Sequence, residues 1–390
     1  MNRSRLGLLT GTHAVNDLYQ GLIPALLPFM ALERGYSYTA VSGLMLAATG
    51  LSSVVQPLFG LYVDRASRPW MVPLGFMTAA IGLVLVGLSA DYWVSWIAAV
   101  LCGLGIAAYH PPATVAARAA GGTSQKAMSV FSVGGTIGAS FAPLLAASVV
   151  GDGQLHRSWL LILPAICMLA IWMFWTRRDA QGSASSTGPA GMKKTPQTND
   201  WRAFFVLCAV ILTWSVPYVT LISMLSLYVS RELSGSSFMG AAALTSFTAA
   251  GAVGTLLGGW MGDRFGRMSA IRLGYLLALP AMGGLVMTPS PAIALACALA
   301  LGISMFLPFA PQITLAQDYL PRNQATASGI TLGLALSIGG MIAPLFGMLS
   351  DAHGLRTTLT AVLCVLVSAC VLAWCMRERR DLQPQFMVRT

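Results

Sequence analysis

GLYVDRASRP at residues 60–69 returns 199 positions later as GWMGDRFGRM at 259–268. The shared frame is G-x-x-x-D-R-x-x-R, which sets Gly60, Asp64, Arg65 and Arg68 against Gly259, Asp263, Arg264 and Arg267. The same offset carries Pro112 onto Pro311 and Gln125 onto Gln324, and APL at 142–144 matches APL at 343–345. Features aligned in this order read as an internal duplication. In a membrane protein, that means two equivalent halves around a central site.

The composition requires a membrane. Of 390 residues, 56% are of the AVILMFWYC set and only 9% are charged, with a mean hydropathy of +0.71. A soluble domain carries about 25% charged residues, and a disordered chain is polar and strongly charged. A transmembrane barrel would show alternating segments of about ten residues, and the apolar runs here are longer and continuous. At about 30–33 residues per span and loop, there is room for about twelve crossings. Hydropathy places them near 6–30, 37–63, 70–90, 93–117, 125–150, 158–176, 201–229, 237–261, 269–288, 291–317, 324–349 and 355–376. The Gly-, Ser- and Pro-rich stretch RRDAQGSASSTGPAGMKKTPQTND separates six spans from six and reads as a flexible linker. The expected organisation is a first six-helix bundle over 1–176, a cytoplasmic linker over 177–200, and a second bundle with a short tail over 201–390.

The net charge of +10 is a topology signal and not a nucleic-acid footprint. With the N-terminus inside, 19 of the 23 Lys and Arg residues fall on the cytoplasmic side, which orients both termini inward. The seven cysteines all fall within the expected spans without a CxxC pair, so neither a disulfide framework nor a metal site is expected. The N-terminal stretch lacks a small-x-small cleavage site and reads as the first span, not a removed signal peptide.

The duplicated G-x-x-x-D-R-x-x-R motif, the six-plus-six layout and the central linker resemble the major facilitator superfamily. The resemblance implies an all-α polytopic membrane protein: twelve transmembrane helices in two pseudo-symmetric six-helix bundles that open a midplane cavity to each side in turn. In such a protein, Asp64 and Asp263 at helix ends pair with a neighbouring helix N-terminus or an Arg and latch one state. The arginines of the motif also anchor the topology. THAVNDLYQGLIPALLPF, QPLFGLYVDRASRPWMVPLGF and YHPPATVAARAAGGTSQKAMSVFSVGGTIGASFAPLLAA are similar to the fosmidomycin-resistance branch. This chain has Pro112 where that branch has a Glu after His-Pro. The branch implies a drug:proton antiporter of the bacterial inner membrane. GGTIGASFAP in span five resembles an antiporter motif of the superfamily, with Ala142 where the usual pattern has Gly.

Asp17 alone of the thirteen acidic residues lies well inside an expected span, about 16 Å along a helix from Leu6. An ionised carboxylate there costs about 2.5–3.5 kcal/mol even on a lenient scale, and intramembrane ionisable residues mark function. We therefore expect Asp17 to bind and release the coupling proton; the plain alternative is a structural Asp hydrogen-bonded to a neighbouring helix. His13 stands four residues earlier on the same face, with Asn16 and Gln20 beside it, so this polar stripe must face the bundle interior. His13 is expected to share a proton with Asp17, or to be an interior His with a purely structural hydrogen bond. His110 precedes Pro111 and Pro112 in span four, and a proline break is tolerated where it lines a cavity. It is a candidate for contact with substrate or with Asp17; a passive His beside a kink is the alternative.

In the second half, Pro311 in span ten is flanked by Phe306, Phe309 and Gln312, and span seven presents Trp214 and Tyr218 with Thr220 and Ser223. These residues suggest the matching cavity wall, although such aromatics commonly serve packing alone. The glycines 134–138 and 339–340 allow close helix approach, expected where spans five and eleven meet across the halves.

No P-loop, zinc spacing, nucleophile elbow or haem motif occurs, so neither ATP drive nor enzymatic chemistry has support. The expectation is a non-enzymatic, cofactor-free secondary transporter, active as a monomer. The proton gradient would supply the energy, and the partners would be a small molecule, protons and the lipid bilayer. An uptake symporter and a non-transporting membrane sensor are the rivals.

Overall fold

The computed structural model describes residues 2–36, 38–150, 154–183, 198–235 and 237–378. The linker over 177–200 and the tail beyond Glu378 lie largely outside these. Thirteen α-helices account for the described chain apart from short turns: α1 (Arg3–Arg34), α2 (Tyr38–Arg65), α3 (Met71–Leu88), α4 (Tyr92–Gly121), α5 (Gln125–Val150), α6 (Leu163–Ser183), α7 (Trp201–Leu227), α8 (Ser237–Phe265), α9 (Arg267–Met287), α10 (Pro291–Phe306), α11 (Phe309–Tyr319), α12 (Gln324–His353) and α13 (Leu355–Cys375). A 3-10 turn over Leu155–Ile162 leads into α6, and a π turn over Tyr228–Glu232 follows α7.

Twelve spans result, because α10 and α11 are two parts of one. The break falls at Leu307–Pro308. Pro308 and Pro311 both lack the N–H that a continuing helix needs, and their rings crowd the carbonyls one turn back. Pro111 and Pro112 by contrast sit inside an uninterrupted α4. Among the described residues, nine segments are long and apolar enough to cross a membrane by length and composition. The helices that miss this measure are α1, α5 and α12, which carry the polar stripe and the Gly, Ser and Thr residues of the helix contacts. Trp93, Ile97, Phe174 and Phe205 are more than half exposed, the apolar exterior expected of a helical bundle in lipid. The chain is a multi-pass, all-α membrane protein.

The chain forms two compact units: Met1–Ala120, Gly134–Asn199 and Pro321–Gly329 in the first, and Gly121–Val133, Asp200–Leu320 and Ile330–Thr390 in the second. In the first, α1 is tied down along its length. Asn2 caps its start by accepting from Arg5 N at 3.0 Å. Tyr19 Oη donates to Leu161 O at 2.9 Å and accepts from Ala165 N at 3.1 Å, binding α1 to the start of α6. At the far end, Arg34 Nη1 donates to Val86 O at 3.0 Å, satisfying a carbonyl near the end of α3. Such ties hold the polar stripe of α1 at a fixed depth and rotation.

Candidate functional site

The stripe on α1 meets α4 at a triad of titratable groups. Asp17 Oδ2 lies 3.2 Å from His13 Nε2, one turn earlier on α1, and Asp17 Oδ1 lies 3.2 Å from His110 Nε2 on α4. Asn16 Nδ2 donates to Asp17 Oδ1 at 3.0 Å. His13 and His110 stand edge to face with ring centroids 5.5 Å apart, and Tyr109 stacks on His13 at 5.9 Å. Tyr109 is itself fixed to α1 by its hydroxyl, 2.9 Å from Thr12 Oγ1. Both imidazoles and Asn16 are buried, and Asp17 is largely so.

The hydrogen bonding of His110 assigns its protons. Nδ1 lies 3.0 Å from the carbonyl of Ile106; a carbonyl oxygen only accepts, so Nδ1 carries a hydrogen. Nε2 then faces a carboxyl oxygen at 3.2 Å. Two bare acceptors would repel at that distance, so one proton lies between them, on Nε2 or on Oδ1. Asn16 Oδ1 is buried without a hydrogen-bond partner among the described residues, an acceptor left for a water or a ligand donor. The ligand atoms of His13, Asp17 and His110 lie within 4.8 Å of one another, close enough for a metal ion.

The glycines of α5 create this close approach. A Cβ on Gly135 would lie 2.7 Å from His13 Nε2 and against Asp17 Oδ2; one on Gly134 would meet the Thr10 carbonyl, and one on Gly138 the backbone of Ala14. These glycines therefore pack on α1 within their own unit. Gly339 of α12 likewise meets Ser215 and Val219 of α7. Gln20 is half-buried one turn beyond Asn16, and no hydrogen bond joins it to the triad among the described residues.

In the second unit the aromatics named from the sequence assemble. Trp214 and Tyr218 stack at 4.8 Å, Phe306 stands edge-on to both at 5.7 and 5.5 Å, and Phe309 lies 6.3 Å from Trp214. Trp214 Nε1 donates to Met305 O at 2.8 Å, at the end of α10. Phe247 of α8, unnoticed in the sequence, completes the cluster at 6.3 Å from Tyr218 and Phe306. Its signal was a lone bulky ring amid the small residues of GAAALTSFTAAG. Gln312 is buried and donates to Tyr275 Oη at 2.9 Å.

Both motif copies take the helix N-terminus as partner. Asp64 Oδ1 accepts from Ala325 N at 2.8 Å, and Oδ2 from Thr326 N at 2.9 Å and from Thr326 Oγ1, at the start of α12. Asp263 Oδ2 accepts from Lys126 N at 3.0 Å and from Ser124 Oγ at 2.8 Å, and Oδ1 from Gln125 N, at the start of α5. Each carboxylate satisfies otherwise orphaned N–H groups at the positive end of a helix dipole. Gly60 and Gly259 permit this, since a Cβ there would strike the Thr326 backbone and the Ser129 side chain. Arg65 and Arg264 are exposed.

Comparison with known proteins agrees with this architecture. The chain is 28% identical over 364 residues to YfnC, an uncharacterised MFS-type transporter of Bacillus subtilis, covering 90% of this chain and 87% of that protein. It is 28% identical over 350 residues to the fosmidomycin resistance protein of Escherichia coli, covering 89% and 86%. Its fold is similar to that of the E. coli fucose:proton symporter FucP, with a TM-score of 0.75 at 16% identity over 96% of this chain and 98% of that one. It is also similar to an inward-facing bacterial homologue of the human lysosomal transporter Spinster, with a TM-score of 0.65 at 18% identity over 96% of each chain. The family model of the Major Facilitator Superfamily matches residues 9–344, and the chain belongs to that superfamily of membrane transporters.

Proposed function

We propose that this transporter exports a small organic compound, a drug such as fosmidomycin, in exchange for protons by alternating access. The observation that carries the reading is the His13–Asp17–His110 triad, a largely buried carboxylate facing two imidazoles at 3.2 Å; we read the proton between Asp17 and His110 as the exchangeable one. Withdrawal of that proton leaves two acceptors facing each other at 3.2 Å, and their repulsion loosens the α1–α4 contact. Rebinding restores it. Asp17 is the carrier and His110 its partner. His13 bears on the second carboxylate oxygen and tunes the exchange. Asn16 Oδ1, and with it Gln20, receives a donor from substrate or water. In the second unit, Trp214, Tyr218, Phe306, Phe309 and Gln312 form the wall for an amphipathic solute. Asp64 and Asp263, with Gly60, Gly259 and the arginines 65, 68, 264 and 267, latch one state through the helix N-termini.

The resemblance to a fosmidomycin resistance protein supports drug export, and the distribution of Lys and Arg supports an inner-membrane protein with both termini in the cytoplasm. The protein acts as a monomer with the proton gradient as its energy source and no cofactor. The test is solute movement in liposomes with an imposed pH gradient. Antiport accumulates labelled fosmidomycin, or the active member of a compound panel, in acid-loaded vesicles. Symport drives the solute out of them, and that sign would overturn the reading.

A further inference from the structure

The two copies of the D-R-x-x-R loop are neutralised differently. In the second unit Arg267 is clasped by two carboxylates, Nη1 donating to Asp318 Oδ2 and Nη2 to Glu378 Oε1. One repeat offset of 199 before Asp318 stands Ala119, whose methyl carries no charge. The position equivalent to Glu378 is Asp179, whose side chain lies outside the described residues. Arg68, the counterpart of Arg267, has no carboxylate partner among the described residues. Its guanidinium lies 3.8 Å over the Tyr62 ring, and its buried Nε finds no acceptor. A buried charged donor in that condition calls for an anion.

The space for one is present. Arg68 and Ala119 both line a cavity of about 420 Å³ in the first unit, together with Arg5, Arg322, Trp172 and Trp175. Asp64 also reaches this wall, but its oxygens are occupied by Ala325 N, Thr326 N and Thr326 Oγ1. Three arginines thus line a cavity whose sole described acid is already engaged. A guanidinium matches a tetrahedral oxyanion through paired N–H donors, and the indole walls suit the apolar stem of an amphiphile. Basic pockets of this kind between membrane helices take lipid head groups.

We propose that this cavity binds a phosphate-class oxyanion, the phosphodiester of an anionic lipid or a free phosphate, with Arg68 as its principal contact. The external anion stands where the second unit has its own Asp318. The inference goes beyond the transport reading and does not depend on proton coupling.

Full-length protein in a neutral detergent is titrated with short-chain phosphatidylglycerol and, separately, with inorganic phosphate, with adducts counted by native mass spectrometry. The parent binds one anion saturably. Arg68→Ala binds about tenfold more weakly, the loss expected for one charge-assisted contact. Ala119→Asp supplies the carboxylate internally and weakens binding by a similar factor, whereas Ala119→Asn, of the same size without the charge, binds like the parent. The Ala119 pair decides the matter if Arg68→Ala fails to fold. Binding of phosphatidylglycerol alone identifies a lipid head group, and binding of both probes a free anion site. No saturable binding of either probe to the parent, or Ala119→Asp binding as tightly as Ala119→Asn, would overturn the proposal.

Discussion

His110 offers Nε2 to Asp17 Oδ1 at 3.2 Å while its Nδ1 is held by the Ile106 carbonyl one turn back on α4. The ring is therefore fixed in orientation, and its Nε2 is directed at one carboxyl oxygen. His110→Gln keeps a polar side chain on α4 but no ionisable group. Substrate binding to this variant stays near that of the parent, while proton flux per substrate falls about tenfold or more, the loss expected for one charge-assisted hydrogen bond. Paired binding and flux assays separate the two effects; equal losses in both would assign His110 to packing.

Gly135 tests the same site without replacing a titratable group. A methyl at this position occupies the space of Asp17 Oδ2 and comes within 2.7 Å of His13 Nε2, so Gly135→Ala pushes the carboxylate off its imidazoles. Coupled transport in the variant falls at least as far as in His110→Gln, although every proton-binding group remains. Gly122→Ala serves as a comparison for a glycine with open space around it but a left-handed φ of 67°. It costs stability through backbone strain and leaves the coupling ratio unchanged.

Asp64 and Asp263 cap helices to which they do not belong. Replacing either by Ala strands the N–H groups of α12 or α5, a loss of about 0.5–2 kcal/mol by analogy with helix caps. A lower melting temperature reads this out. Asn, which keeps one acceptor oxygen, recovers part of the loss. An unchanged melting temperature in both Ala variants would remove the capping role.

The stacked pair of Trp214 and Tyr218, 4.8 Å apart, provides a test of the second unit. If this cluster forms the solute wall, Tyr218→Ala raises KM several-fold, as expected for an aromatic contact of about 0.5–1.5 kcal/mol, and leaves proton stoichiometry intact. A change in stoichiometry with KM unaltered would place Tyr218 in the coupling path.

The sequence disclosed the spans because lipid requires each crossing to be apolar and helical, and that requirement is written locally in the chain. Their ends fall within a few residues of the helices found, except where Pro308 splits span ten and a 3-10 turn leads into α6. The partner of Asp64 was legible as one of two options, a helix N-terminus or an Arg, because both satisfy a carboxylate at a helix end; α12 decides for the former. His13 with Asp17 followed from the four-residue helical spacing. The meeting of His110 with Asp17 was legible only as one option beside a substrate contact or a passive His, since the choice depends on how α4 is rotated against α1, and helical periodicity does not report that. The small size of Gly135 announces a close helix approach, and only tertiary packing shows that α1 lies against it. That Arg68 has no carboxylate partner among the described residues was equally hidden, because Ala119 gains meaning only once Arg267 is seen held by Asp318.

The central claim is that Asp17 carries the coupling proton. Its most direct test is substrate-dependent proton flux in liposomes, comparing the parent protein with Asp17→Asn, which keeps the shape of the side chain and removes its charge. The account predicts that the variant still binds solute and moves no protons with it. Solute-driven proton flux in Asp17→Asn equal to that of the parent would contradict it.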